Sequence, residues 1–562
     1  MHRMKEVSSE PSAHDSALVP PWCEWGRGGS CILLVAPHGG RRPRVDATAP
    51  PPNLRVNDVF TPEITRELAA SLDAGFVING GMDRNVLDLN RISQIRKQAP
   101  WFLELLLREI DRIITKHGCV ELIFVHGWNT GQATCDLGIG GIDLRSGFYV
   151  PDGAHVTIDE VYRRQRIEPL RAACARAHIR MPIGERYPGS HRNNLLQLFT
   201  PRAAQIDHPG AQRIAAWVTQ GCINALQLEL GIPLRWPGTW RTKFVAAAAE
   251  AFGRADAAAL VAKEQPRSVD LEAPPTAPAA APTALQCYDA TSGIGVVAGL
   301  GHARQHVSGG RVLVFLGGQR VALFTGEEVR ADGSRIGPLR MVQSGDELRL
   351  EFCGPMLVLD DAADYLDLEA ALAQSHLVDV EVQLAFKPLL VNGGALPADF
   401  GTARGYIEIE GKRCEMDAGA FANAAAFRAS GTRVQTMLAA TFGNERGVLA
   451  RALDEATESV GTHFASSRAE PLPEVRVAVT TGGDIYTPHA FELSCDGLPP
   501  LRAEAVSRMA ILRPAGNAGY VRVTFGVARF DWKGEIGHGL YEYARPIGRQ
   551  GGSNQEAVIS RQ

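Results

Sequence analysis

The chain of 562 residues is poor in cysteine, with ten in all and no CxxC pair. That excludes a disulfide scaffold and a zinc site built from cysteine pairs, and dispersed thiols suit a reducing cytoplasm. Long apolar runs are missing too. No stretch approaches the roughly 20 residues of a membrane span, so none is expected. The first thirty residues are polar and proline-rich and lack the apolar segment of a secretory signal. No sign of charge dominates: the formal net charge is −4, which leaves no electrostatic case for nucleic acid. No internal repeat is evident. What is present, with 45% apolar residues, is the composition of a soluble globular protein. The length exceeds one ordinary core, so two or three domains are expected.

The stretch Cys31–Pro43, CILLVAPHGGRRP, organises the first half. Residues Ile32 to Ala36 form a continuous apolar run bounded by Pro and Gly, the pattern of a strand buried on both faces. His38 therefore stands at the carboxyl end of a buried strand, where open α/β sheets place their ligands. Thr61-Pro62-Glu63 starts a helix with Ile64, Leu68 and Leu72 on its apolar stripe; Thr61 is read as the N-cap. Gly75–Asn79 is the next strand. The densely polar Asp83–Arg91 follows, then a helix from Pro100 to Gly118. Val120–Val125 is another buried strand ending in histidine, His126. Residues 130–158 are Gly-rich and read as a loop over the site. Helices over 162–177 and 211–221 precede Asn224–Leu230, NALQLEL, a strand carrying Glu229. Strand and helix thus alternate from 31 to about 235, which predicts an α/β domain with a mostly parallel sheet.

Residues 263–284 are rich in Pro and Ala and form a linker that has no means of burying a core. Beyond it the period changes to two. Arg311–Thr325 carries two apolar runs around Gly317-Gly318, a hairpin signal, and Val378 to Phe386 alternate apolar and polar residues. A β-rich sandwich or barrel is expected, with helices only at 415–427 and 445–459. The expected domains are an N-terminal arm at 1–29, the α/β domain at 30–262, the linker, and β-rich units at 285–430 and 431–552.

Two histidines at strand ends can face one another across a sheet edge, and a catalytic zinc needs about three protein ligands. A carboxylate must supply the third: Asp58, just before a helix, with Glu63 and Asp46 as rivals. Asp58 also reads as a plain helix-entry residue. Glu229 lies inside an apolar strand pattern, where a carboxylate is costly unless paired or metal-linked. Facing a metal-activated water it would be a general base; on an edge strand it would be a surface residue. Arg84 and Arg91 bracket Asp88 and Asn90, either as anion-recognising groups or as a loop held by an Arg–Asp pair.

The order PHGG, an Asp before a helix, RNVLDLNR, VHG and LQLEL resembles the N-formylglutamate amidohydrolase family, related to zinc carboxypeptidases, succinylglutamate desuccinylases and aspartoacylases. The resemblance covers about residues 30–235. It implies a zinc-carboxypeptidase-like fold with zinc (Zn2+) on His38, Asp58 and His126. It implies that Arg84 polarises the scissile carbonyl, that Asn90 and Arg91 hold a substrate carboxylate, and that Glu229 activates water. Arg192 lies in a loop that would close over the substrate. Departures exist: Gly39 replaces the serine of the family's PHSG, and Arg41 occupies the position of the glutamate in the HxxE pair of the carboxypeptidases. Near the C-terminus, GHGLYEY at 537–543 resembles the last strand of lipocalin-like domains of the carotenoid hydratase type. The expected function is therefore a zinc amidohydrolase acting on a small acidic N-acyl amino acid, N-formylglutamate-like, or on a γ-glutamyl-type or peptide-like substrate. The alternatives are a catalytically silent ligand-binding protein and a carboxypeptidase-like enzyme.

Overall fold

The computed structural model describes residues 19–44, 54–144, 147–151, 153–253, 283–304, 307–329, 334–391, 396, 398–423, 433–453, 458–465, 468–482, 484–514 and 520–547. The chain divides into two compact units, Met1–Pro43 with Arg55–Pro275, and Arg44–Leu54 with Thr276–Gln562. Most of the expected N-terminal arm, nearly all of the linker, and Asp46 lie outside the described residues. No helix among the described residues is long and apolar enough to cross a membrane.

The first unit is built on a six-stranded sheet. Its strands are β1 (Cys23–Gly26), β2 (Ile32–Ala36), β3 (Gly75–Asn79), β4 (Val120–Gly127), β5 (Cys135–Gly138) and, beyond a small β6 (Ile142–Leu144) and β7 (Gly147–Tyr149) hairpin, β8 (Ile223–Leu230). The order is β1-β3-β2-β4-β8-β5. The four inner strands run parallel, while β1 and β5 pair antiparallel at the edges, so the sheet is mixed. Two differences from the sequence reading follow. The sheet already begins at Cys23, inside the span read as an arm. The Gly-rich span 130–158 contains β5, whose Cys135 and Leu137 are fully buried.

Helix α1 (Thr61–Leu72) links β2 to β3 and buries Ile64, Leu68 and Leu72. Thr61 is its first residue rather than its cap: the cap position is Phe60, at φ 64°, and the Thr61 hydroxyl donates to the Asp58 carbonyl. A short α2 (Ile92–Gln98), unforeseen in the sequence, leads into α3 (Pro100–His117), which opens on proline and closes on Gly118 at φ 79°. The chain moves from β2 outward to β3, then back across to β4 and on to β8. Right-handed crossovers therefore place α1 and α3 on opposite faces. The strand order reverses between β2 and β4, so the crevice at their carboxyl ends is the switch point where α/β sheets bind ligands. A continuous helical stretch, α4 (Glu160–Tyr162), a π-turn at Arg163–Ile167 and α5 (Glu168–Arg176), then α6 (Pro209–Thr219), α7 (Ile232–Arg235) and α8 (Thr239–Phe252), complete the unit.

The second unit is antiparallel throughout. Its first sheet contains β9 (Thr283–Asp289), β10 (Ile294–Arg304), β11 (Val307–Phe315), β12 (Val321–Val329), β13 (Arg335–Ile336), β14 (Leu339–Ser344), β15 (Glu347–Leu359), β16 (His376–Leu390), β17 (Asp399–Ile409) and β18 (Lys412–Ala422). The pairing of β12 with β15 closes eight of these strands into a ring, with β13 and β14 hanging from β15. Gly317 and Gly318, at φ 86° and 57°, form the tight turn that the two apolar runs around them predicted. The second sheet contains β19 (Gln435–Phe442), β20 (Arg446–Leu453), β21 (Glu458–Ala465), β22 (Arg468–Leu472), β23 (Arg476–Thr481), β24 (Pro488–Cys495), β25 (Leu498–Pro514), β26 (Tyr520–Trp532) and β27 (Glu535–Ile547), in the order β22-β21-β20-β19-β27-β26-β25-β24-β23.

Where helices are expected, the described residues form strands: β18 within 415–427, and β20 with the start of β21 within 445–459. Ala and Gly there reflect packing rather than helix propensity. A Cβ on Gly447 would stand 2.7 Å from the Phe400 ring and 2.9 Å from Phe421, and one on Gly419 would stand 2.7 Å from the Gly443 carbonyl. These small residues let the two sheets of this unit approach around Phe400, Phe421 and Phe464, whose ring centroids lie 5.3–5.6 Å apart.

Glu542 on β27 is buried, and neither of its oxygens has a hydrogen-bond partner among the described residues. Burial pushes its carboxyl up to about 7, partly offset by Arg513 and Arg311, whose guanidiniums each lie 5.5 Å from the ring of its cross-strand neighbour Phe525. The folded state therefore keeps a proton that the unfolded chain, with an ordinary value near 4.5, releases. Stability from this group is present at low pH and is lost as pH rises from 4.5 through about 7. Glu542→Gln removes the titration, so its stability relative to the parent should improve by about 3 kcal/mol between acid and mildly alkaline pH. Urea unfolding of both proteins across that range measures this; a constant difference would refute it.

Candidate metal centre

The switch-point crevice brings His38, Asp58 and His126 together, all three buried. His126 is the penultimate residue of β4, and His38 lies in the turn after β2. Asp58 reaches them because its backbone N–H donates to the His38 carbonyl at 2.8 Å and the left-handed turn at Phe60 follows directly. Gly39 and Gly40 serve close approach here: a Cβ would meet Pro62 at 2.4 Å or the Met82 carbonyl at 1.8 Å. Asn79, at the end of β3, clamps this turn, donating to the Pro37 carbonyl at 3.0 Å and the Met82 carbonyl at 2.8 Å.

Three atoms meet at the centre. His38 Nδ1 lies 3.2 Å from His126 Nδ1, and each lies 3.3 Å from Asp58 Oδ2. Lone pairs this close repel unless a proton or cation sits among them. A tetrahedral zinc with bonds of about 2.0–2.1 Å sets its ligand atoms about 3.3–3.4 Å apart, so the triangle fits one face of such a site. The donor set, two imidazoles and one carboxylate, suits a transition metal such as zinc rather than calcium or magnesium.

The surroundings hold these groups in ligand form. His38 Nε2 lies 2.7 Å from Asp88 Oδ1; donating its proton there leaves Nδ1 as a lone pair. Burial opposes ionisation of Asp58, but Arg84, His38 and His126 outweigh it and hold its carboxyl well below the usual range. Asp88 is likewise held low, with His38 and Arg84 overcoming burial. Burial pushes His126 down to about 4, so its ring is neutral near pH 7. Its Nε2 is buried without a hydrogen-bond partner among the described residues.

Glu229 stands in register with His126 on β4 and with Asp136 on β5, one side of a row crossing three strands. β8 is an inner strand, which removes the edge-surface reading. Burial, Asp58 and Asp136 together push the Glu229 carboxyl well above its usual range. Asp136 is itself pushed up to about 6 by burial, although it accepts the backbone N–H groups of Glu185, Arg186 and Tyr187 at 2.6–3.1 Å. It thereby fastens the 185–187 loop beside Glu229.

Arg84 donates through Nη1 to Asp58 Oδ1 at 3.1 Å, the oxygen facing away from the histidines. Asn90 donates its backbone N–H to Asp88 at 3.0 Å, and its side-chain oxygen is buried and unpartnered among the described residues. Arg91 lies 3.4 Å from Asp88 and bridges to Asn194, which in turn contacts Gln227 on the Glu229 face. Arg192 sits exposed on the preceding turn and has no polar contact with the three central residues. Glu63 lies on α1 outside the central set. Sequence reading missed Asp88, Asn79, Asp136 and Arg235 as parts of the site. Asp136 carried the same signal as Glu229, an acid within an apolar strand.

No protein-family model matches the chain, and no curated protein matches it. Among solved structures, a protein from Nitrosomonas europaea described as an AttH is 11% identical over 47% of this chain and 90% of its own, with a TM-score of 0.33. N-formylglutamate amidohydrolase from Ralstonia eutropha JMP134 is 11% identical over 40% of this chain and 94% of its own, at 0.27. Kievitone hydratase from Nectria haematococca is 10% identical over 47% and 87%, at 0.28. The reading of the site rests on its own atoms.

His38→Ala and His126→Ala should each abolish zinc uptake. Asp88→Asn keeps the shape but loses the charge that orients His38, and should weaken zinc binding about 10–100-fold. Chelator competition measures all three; parent affinity in Asp88→Asn would show that His38 needs no such partner.

Proposed function

We propose that the first unit is a zinc-dependent hydrolase of zinc-carboxypeptidase-like fold that cleaves the amide bond of an N-acyl amino acid, N-formylglutamate-like, or of a γ-glutamyl-type substrate. The observation that carries this is Glu229 standing in register beside His126 at the rim of a donor triangle that fits zinc. The order of the sequence motifs points the same way.

His38, Asp58 and His126 would hold the ion. Bound there, zinc supplies Lewis-acid polarisation of the carbonyl and a lowered pKa for the attacking water. Glu229 takes that water's proton and returns it to the leaving nitrogen. A carboxyl pushed above its usual range suits a group that must hold a proton for part of the cycle. Arg84, anchored on Asp58, stabilises charge developing on the carbonyl oxygen. Asn90 and Arg91 receive the substrate carboxylate, the guanidinium offering a planar fork.

Glu229→Gln should retain zinc and fold while losing at least about 100-fold in turnover, the low end for a general acid–base group. If it loses zinc instead, Glu229 is a ligand; if turnover is untouched, the base lies elsewhere. Arg91→Lys should raise KM for acidic N-acyl substrates, because a point charge does not reproduce the fork. An unchanged KM would remove Arg91 from carboxylate binding.

A further inference from the structure

Arg235 ends the short helix α7 just after β8 and is fully buried. A guanidinium so placed is costly unless hydrogen-bonded. Its Nη1 donates to the carbonyl of Val59, the residue after Asp58, at 2.6 Å. Its Nη2 donates to the carbonyl of Trp128 at 3.1 Å and to the side chain of Asn129 at 2.9 Å, just beyond His126. One planar group thus ties the segment that delivers Asp58 to the end of the strand that delivers His126.

The neighbouring residues make room for it. A Cβ on Gly127 would lie 2.4 Å from Nη1 and 3.0 Å from the Cβ of Asp58, so glycine beside His126 lets the guanidinium reach the Asp58 loop. The Trp236 ring lies 5.1 Å from the guanidinium, and Phe60, whose left-handed turn follows Asp58, packs edge-on to Trp236 at 4.8 Å.

We propose that Arg235 is a positioning residue of the metal centre, fixing the distance between the 57–60 segment and residues 128–129 just past the end of β4, and with it the Asp58–His126 edge of the donor triangle. The inference rests on the metal-centre reading. A lysine ammonium lacks the rigid fork needed to hold both segments.

The test uses the full chain, with zinc affinity from chelator competition and the visible spectrum of the cobalt-substituted protein as a report on ligand geometry. Arg235→Met should weaken zinc binding about 10–100-fold, the range of outer partners of metal ligands, and alter the cobalt bands. Arg235→Lys should recover only part of this. Gly127→Ala, which displaces Nη1 while keeping Arg235, should act in the same direction and serves if Arg235→Met does not fold. Arg166 is the control. It is equally buried and pairs at 2.6 Å with Glu121 near the opposite end of the same strands. Arg166→Met should lower the melting temperature without changing zinc affinity or the cobalt spectrum. Parent affinity and spectrum in Arg235→Lys and Gly127→Ala overturn the inference, as does an equal loss in Arg166→Met, which would mark a general packing effect. A parent that binds neither ion overturns the metal-centre reading itself, and this inference with it.

Discussion

Two imidazole nitrogens and a carboxylate oxygen face one another at 3.2–3.3 Å inside the first unit, and their mutual repulsion has to be held by everything around them. Left free, such groups would turn away. They do not, because each is fixed from behind. Asp88 grips the far nitrogen of His38, Arg84 grips the far oxygen of Asp58, and the β4–β8 ladder holds the backbone of His126. The strand order explains why the three meet at all. β2 sends its chain one way and β4 the other, so the ends of these adjacent strands open a gap that no crossover fills.

Charge around this gap is sorted by partner. Asp58 and Asp88 lie against arginines and stay ionised despite burial. Glu229 is pushed upward by burial and by the neighbouring Asp58 and Asp136, and Asp136 by burial and Glu185. Similar carboxyls, set around one gap, are thereby separated into anions that bind and acids that can carry a proton. Arg235 remains cationic between them although burial pulls it down to about 10.

The parts of this arrangement that lie in apolar strands were legible in the sequence. His38, His126 and Glu229 each interrupt or end a run of Ile, Leu and Val, where a polar residue needs a reason. Asp58 was legible as a helix approach, although its rival Glu63 could be separated from it only in three dimensions. Asp88 was not, since its contact with His38 joins residues fifty apart through a loop without periodicity. Arg235 sits in a Pro-Leu-Arg-Trp run, a cation among apolar neighbours, and the same rule that flagged Glu229 would have flagged it. In the second unit the alternation of β16 was plain, whereas the Ala-rich β18 imitated a helix because small residues such as Gly419 answer to the close approach of Thr441 and the Gly443 carbonyl rather than to backbone preference.

The ring of eight strands in the second unit is not equally strong around its circumference. β15 and β16 share eleven register pairs and β11 and β12 share nine, but the closure between β12 and β15 rests on three, Val321–Leu359, Ala322–Val358 and Leu323–Leu357, and the β9–β18 pairing also rests on three, Leu285–Ala422, Gln286–Phe421 and Cys287–Ala420. Mechanically this is a cylinder with two seams. Opening at either breaks few backbone hydrogen bonds and leaves the remaining sheet whole, so local fluctuations of the ring concentrate at these two lines. Amide protons along these two seams would exchange with solvent ahead of those in the β15–β16 ladder, so the ring would part as two curved sheets of strands rather than unravel strand by strand.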